Sequence, residues 1–327
     1  MPVTLSDILA ARQVIGRHAW HTPLLHSESL SRRVGAPVYL KPECWQVTGS
    51  FKVRGALNKL ASLSPGDLAR GAVTASAGNH GLGIAYAARA LLADRDVPPV
   101  TIFVPETAAA NKVQRLAALG CDLHVAGADY DATHALAEAH ALERGALYLS
   151  AYDDPAIIAG QGTAGFEILE DVPGVGLLLV PVGGGGLIAG IAVAARAIQP
   201  GVRIVGLQPE ASPSAHLSLR DGRPYETYPA GPTICDGLAG GFGRLPFEIA
   251  RNLVDEIVVV PEVDVRRAVA WLAGHEGLIV EGSGAIAVAP LLSGQLQVQD
   301  RRVVAILTGR NLDASLLRQI MAEKDTL

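Results

Sequence analysis

Lysine is scarce in this chain: five lysines stand against 22 arginines over 327 residues. One of them, Lys52, sits between Phe51 and Val53 in the stretch "TGSFKVRGA" at 48–56, which is hard to read as routine surface charge. It is either a solvated side chain opening a helix through "VRGALNKLASL" or a nucleophile. Cysteine is nearly absent too. Cys44, Cys121 and Cys235 are far apart and form no CxxC, which argues against a disulfide framework or a cysteine zinc site and fits a reducing, cytoplasmic compartment. Charged residues are only 18%, the net charge is −5, and no basic cluster carries interleaved aromatics. A nucleic-acid partner is therefore not expected, because its phosphates need neutralising by Lys and Arg. The N-terminus lacks a basic start followed by an apolar signal core and reads as an amphipathic helix capped by Ser6. The uncharged stretch Val172–Ala195 is long enough for a membrane span, but two prolines and glycines 183–186 interrupt it. It reads as a buried strand, a loop and a buried helix, with no membrane partner.

What is present is apolar: 49% of residues are hydrophobic, ample for two domains or one large α/β unit. Strand-like runs at 71–76, 100–105, 121–126 and 146–150 alternate with the helical patterns "HGLGIAYAARALLA", "AAANKVQRLAAL" and "DATHALAEAHALERG". The alternation resumes with strands at 176–182, 202–208 and 301–309 and the helical "GLIAGIAVAARAI" and "EVDVRRAVAWLAGHEG". Such alternation implies parallel sheets built from βα units, here two α/β lobes with a cleft between them. Residues 210–246, rich in Gly, Pro and Ser, read either as loops over a site or as plain connection.

Gly183, Gly184, Gly185 and Gly186 follow a buried strand and open a helix, where backbone N–H groups and the helix dipole suit a phosphate. The overlapping "GGGLIA" also satisfies GxGxxA, with Glu210 after the next strand where a dinucleotide fold places its ribose-binding acid. A nicotinamide oxidoreductase and a plain packing turn both stay open on these residues. Ser76, Gly78 and Asn79 form a second strand-to-helix turn suited to a carboxylate, and His80 beside them is either catalytic or structural. A phosphate site, a carboxylate site and an unusual lysine together suggest pyridoxal phosphate and an amino-acid substrate.

"LKPECWQVTGSFKVRGA" closely resembles the lysine motif of the threonine/serine dehydratases, which are fold-type II pyridoxal-phosphate enzymes. The likeness continues in order through "TPL" at 22–24, "SAGNHGLG" at 76–83, "IIAGQGTAGFEI" at 157–168, "PVGGGGLIAG" at 181–190, "TICDGLAGG" at 233–241, "VEGSGA" at 280–285 and "LTGRN" at 307–311. The resemblance implies a two-lobed α/β fold like the tryptophan synthase β subunit, each lobe a mainly parallel twisted sheet flanked by helices. Residues 1–48 and 146–327 would form the large cofactor-binding domain and 49–145 the small substrate-side domain. It implies that Lys52 forms a Schiff base with the cofactor and later acts as base, and that Phe51 packs near the ring. Asn79 would reach the ring hydroxyl, the amides of Gly183 to Leu187 would hold the phosphate, and Thr308 would stand beside the pyridine nitrogen. Ser76, Asn79 and His80 would cradle the substrate carboxylate. The implied reaction is β-elimination of L-threonine or L-serine to a 2-oxo acid and ammonia, by a homodimer or homotetramer.

The departures narrow this reading. Serine racemases carry a second serine where Ala77 stands, and use acidic metal ligands where Gln208 and Ser214 stand, so little racemisation and no tight divalent-metal site are expected. Synthases of the same fold usually have an acid where Val53 follows the lysine. Arg310 replaces a usual glycine. The sequence ends at residue 327, shortly after Asn311, without the long regulatory module of biosynthetic threonine dehydratases. A serine racemase, a 3-hydroxyaspartate dehydratase and a non-catalytic binding protein remain as alternatives.

Overall fold

Strands alternating with helices build two sheets in the computed structural model, which describes residues 2–298 and 301–323. In chain order the strands are β1 (Leu25–His26), β2 (Val38–Lys41), β3 (Ala72–Ala75), β4 (Thr101–Val104) and β5 (Asp122–Val125). They continue as β6 (Leu147–Tyr148), β7 (Leu177–Pro181), β8 (Arg203–Pro209), β9 (Glu256–Val260) and β10 (Val303–Ile306). One sheet runs β1-β2-β10-β7-β8-β9 and the other β5-β4-β3-β6. Every ladder is parallel except β1 with β2. Parallel neighbours need crossover helices, and those helices cover both faces of a sheet. That is why β3, β4, β7 and β10 are buried at every position and read as continuous apolar runs. β6 pairs with β3, so Leu147 and Tyr148 belong to the four-stranded sheet.

The uncharged stretch resolves into β7, a glycine turn and the buried helix Gly186–Ile198. No described helix is long and apolar enough to cross a membrane. The first helix, Leu5–Ile15, is capped by Thr4 and not by Ser6. The chain stays extended at Thr4, whose hydroxyl accepts from the Asp7 N–H while the Asp7 carboxylate accepts from the Thr4 N–H. This reciprocal box satisfies two end donors, which Ser6 cannot do from inside the first turn. The loose segment 210–246 contains the helix Ser214–Asp221 and a short turn at Asp236–Leu238.

The helix Pro155–Asp171 is the hub between the sheets, packed against Gly186–Ile198 on one side and Lys52–Ala61 on another. Its contact with Lys52–Ala61 is backbone on backbone: a Cβ added at Gly160 would lie 2.6 Å from the Gly55 Cα and 2.7 Å from the Arg54 carbonyl oxygen. Any side chain there must force apart the helix that carries Lys52. Gly160→Leu is expected to lower stability by about 1–3 kcal/mol, the usual cost of overpacking a core. Urea unfolding checks this, and an unchanged midpoint would show that the two helices part freely.

Candidate active site

Lys52 is the first residue of its helix, and the segment before it is sewn to the chain after β10. Phe51 N–H donates to the Thr308 carbonyl (3.0 Å), Arg310 N–H to Gly49 (2.9 Å), and Ser50 bridges Gly309. Lys52 therefore stands where the two sheets meet, at the C-terminal end of β10. Its Nζ donates to the Ala151 carbonyl (3.0 Å) and lies 5.4 Å from the Phe51 ring centroid. Loss of solvation pulls this half-buried amine down to about 8. The side chain is not a solvated surface charge.

Two residues further on, Arg54 is fully buried among charges that the sequence reading did not connect. Its Nε and Nη2 donate to Glu43 (2.7 and 2.8 Å), and its Nη1 and Nη2 donate to Glu167 (both 2.7 Å). Nη1 also reaches the Thr163 hydroxyl, and Lys41 Nζ donates to Glu167 and to the Thr22 carbonyl. Burial alone would push the Glu43 carboxyl up, but Arg54 and then Lys41 outweigh it and hold it below its ordinary value. Burial opposes the charge on Arg54 in the same way, and Glu43 and Glu167 outweigh it.

The glycine turn follows β7, next to β10 in the sheet. Gly185 has φ +93°, and side chains at Gly184 and Gly185 would run into the rings of Tyr152 and Phe242. Gly186 and Leu187 open the helix beneath, so first-turn N–H groups without intrahelical partners are presented at the strand end.

From the four-stranded sheet come Ser76, Asn79 and His80. The Ser76 hydroxyl accepts from the Gly78 N–H (3.2 Å). Asn79 begins the helix Asn79–Leu92, and its carboxamide is gripped from the other lobe: Nδ2 donates to Glu281 (2.7 Å) and Oδ1 accepts from Asn311 Nδ2 (2.5 Å). His80 is buried and pulled down to about 3, by loss of solvation first and by Lys52 second, so its ring is neutral. His80 Nε2 and Ser50 Oγ are buried with no hydrogen-bond partner among the described residues. Thr308 is buried, its hydroxyl donating to the Ser283 carbonyl (3.2 Å). Glu281 is pushed up to about 7 by burial and then by Asp236. Arg310 is exposed.

The pyridoxal-phosphate-dependent enzyme family profile matches residues 15–309. The chain belongs to that family. An L-threonine ammonia-lyase of Geobacter sulfurreducens is 40% identical over 98% of this chain and 78% of its own length. The catabolic L-threonine dehydratase of Escherichia coli K12 is 38% identical over 98% and 96%. Among solved structures, the processed threonine deaminase isoform 2 of Solanum lycopersicum superposes with a TM-score of 0.91 at 33% identity, covering 99% of this chain and 88% of that one. Maize serine racemase gives 0.90 at 32% identity, covering 100% and 99%.

The residues present fit the cofactor of this pyridoxal-phosphate-dependent enzyme. The turn that excludes side chains suits a phosphate, Lys52 supplies a partly neutral amine, and His80 Nε2 and Ser50 Oγ are polar atoms still to be satisfied. Glu210, which a dinucleotide fold would use on a ribose, instead accepts from the Glu262 N–H and caps the helix Glu262–His275. Gln208 caps the helix Ser214–Asp221: its Oε1 accepts from the Ala215 and His216 N–H groups. The sequence reading assigned no role to Glu281, Asn311 or Arg54. All three lie within the quoted motifs "VEGSGA", "LTGRN" and "TGSFKVRGA", and a charged residue in such apolar surroundings is the available signal for Glu281.

Arg54→Met leaves Glu43 and Glu167 short of a partner and is expected to cost about 3–5 kcal/mol. The depressed Glu43 carboxyl adds stability above its unfolded value of about 4.3, lost as pH falls through the lower folded value. Urea midpoints should therefore drop steeply with acid in the native protein, and less so in the variant; parallel pH curves would contradict this.

Proposed function

We propose that the protein is an ammonia-lyase that eliminates the β-hydroxyl of L-threonine and L-serine, releasing a 2-oxo acid and ammonia. The observation that carries the reading is Lys52, whose amine is held by a single carbonyl and pulled down to about 8 beside a glycine turn shaped for phosphate. The names of the relatives support threonine among these substrates. When bound, the cofactor supplies a carbonyl that joins an amine and a ring that draws electrons from Cα. Lys52 would hold that carbonyl, and its neutral amine would serve as the base for the Cα proton of the substrate. An amine poised near 8 has a substantial neutral fraction at working pH, as a base needs.

The other residues position. Gly183 to Leu187 would hold the phosphate through backbone N–H groups, and Phe51 would pack near the ring. Ser76, neutral His80 and the N-terminus of Asn79–Leu92 would hold the substrate carboxylate, while the remaining Asn79 N–H would serve the ring oxygen. Thr308 would offer a hydroxyl, neither acid nor cation, to the ring nitrogen. The lobe of the six-stranded sheet carries the cofactor, and the four-stranded lobe closes over the substrate. The chain acts as a homodimer or homotetramer in the cytoplasm.

Incubation with pyridoxal phosphate and a chelator should give rapid 2-oxo acid release from L-threonine and L-serine. Lys52→Ala should reduce it by a factor of about 10²–10⁴ or more, the worth of a positioned base. Inertness of both substrates would sink the substrate assignment, and an active Lys52→Ala protein would sink the role of the lysine. Ala77 offers no hydroxyl to return a proton on the far face, so D-serine should form from L-serine far more slowly than pyruvate. Chiral chromatography of the residual serine measures this, and comparable rates would reverse it.

A further inference from the structure

Asn79 has two N–H donors and one acceptor oxygen. Its Oδ1 accepts from Asn311 Nδ2, and one N–H goes to Glu281 Oε1. One N–H remains. Asn311 cannot be turned to change this, because its other N–H goes to the Thr48 carbonyl (3.1 Å) and its Oδ1 accepts from Arg115 Nη1 (2.9 Å). Glu281 accepts on both oxygens, from Asn79 and from the Asn311 backbone N–H (2.9 Å). Reversing the Asn79 carboxamide would set its oxygen against a carboxylate and its NH₂ against another NH₂.

We propose that Glu281 is a positioning residue whose ionised carboxylate locks the Asn79 carboxamide, so that the polar function left for the cofactor ring oxygen is always a donor. The inference rests on the proposed placement of Asn79 beside that ring. The carboxylate accepts at both oxygens with no hydrogen of its own; the neutral acid carries an O–H on one of them, which competes with the two donors and weakens the lock. The groups that face Glu281 place this change near neutrality. Burial disfavours its charge, Asp236 from the turn Asp236–Leu238 adds to that, and Lys112 from the helix Ala110–Ala117 opposes it. Lys112 is itself 3.6 Å from Asp236. His80 stays neutral, and Arg115 acts on Asn311. The lock is half made near 7, complete well above it and lost well below it.

Lys52 titrates in the same range, so the test is made in Lys52→Ala protein, with pyridoxal phosphate binding followed by quenching of tryptophan fluorescence from pH 6 to 8.5. Affinity should rise with pH through the midpoint of Glu281, and Lys52→Ala/Glu281→Gln should lack that step. At pH 8 the double variant should bind roughly tenfold more weakly, the worth of a hydrogen bond to a charged group. The ligand's own ionisations are common to both proteins and cancel in the comparison. Asp236→Asn in the Lys52→Ala background should move the step to lower pH, which keeps the proposal testable if the Glu281 variant does not fold. Superimposable profiles for Lys52→Ala with and without Glu281→Gln, or an Asp236→Asn profile that does not move, would overturn the role of Glu281 alone. Native protein that takes up no pyridoxal phosphate would instead overturn the cofactor site itself, and this inference with it.

Discussion

The position of Lys52 depends on four buried charges that neutralise one another. Lys41, Glu43, Arg54 and Glu167 come from β2, the turn after it, the helix Lys52–Ala61 and the helix Pro155–Asp171. Desolvating such groups is expensive, and the attraction between them offsets the cost only when the geometry is good and every remaining hydrogen is bonded. Here the guanidinium of Arg54 is satisfied by two carboxylates, the Thr163 hydroxyl and the Trp20 carbonyl. What the cluster gives is specificity of place. It fixes the rotation of the helix, and with it the direction in which its first residue points, because Lys52 and Arg54 are half a turn apart.

Within this frame the same residue type meets different surroundings. Lys41 is buried with its amine donating to Glu167 and to the Thr22 carbonyl. Lys52 has one carbonyl and, among the described residues, no carboxylate partner at its amine, so desolvation wins and the neutral form becomes accessible. The carboxylates divide in the same way. Glu43 faces two cations and is held low, whereas Glu281 faces two amides with Asp236 beyond them and is pushed up. Charge is thus kept in a structural cluster and made labile a few residues away, which is how a single interior supports both rigidity and proton chemistry.

How much of this was legible in the sequence follows from the range of each interaction. The parallel lobes, the buried helix after Gly183–Gly186 and the oddity of Lys52 are local, carried by periodicity, turn chemistry and composition within a few residues. Arg54 is different. It looks like one more exposed helix position until Glu167, 113 residues away, is brought beside it. Glu281 and Asn79 are 202 residues apart, and no spacing rule links them. Short elements failed for another reason: β1 has two residues and β2 four, and their pairing with each other and with β10 supplies the order that their own propensity does not. Ser6 is the better cap by type, and the Asp7 partner decides for Thr4.

The links between the two lobes are uneven. On the inside they are joined by the charge cluster and by the backbone contact of Gly55 with Gly160, both dry and costly to separate. On the outside the helix Ala110–Ala117 reaches across through Lys112 to Asp236 and through Arg115 to Asn311, and Asp236 is 70% exposed. An ion pair in water contributes about 0–1 kcal/mol. Separating the inner joint would expose buried charge, whereas the outer contacts already stand in water, and Lys52 lies on the inner joint. The amine is therefore set on the side of the structure that is costly to disturb, next to the strand ends that carry the glycine turn and Thr308.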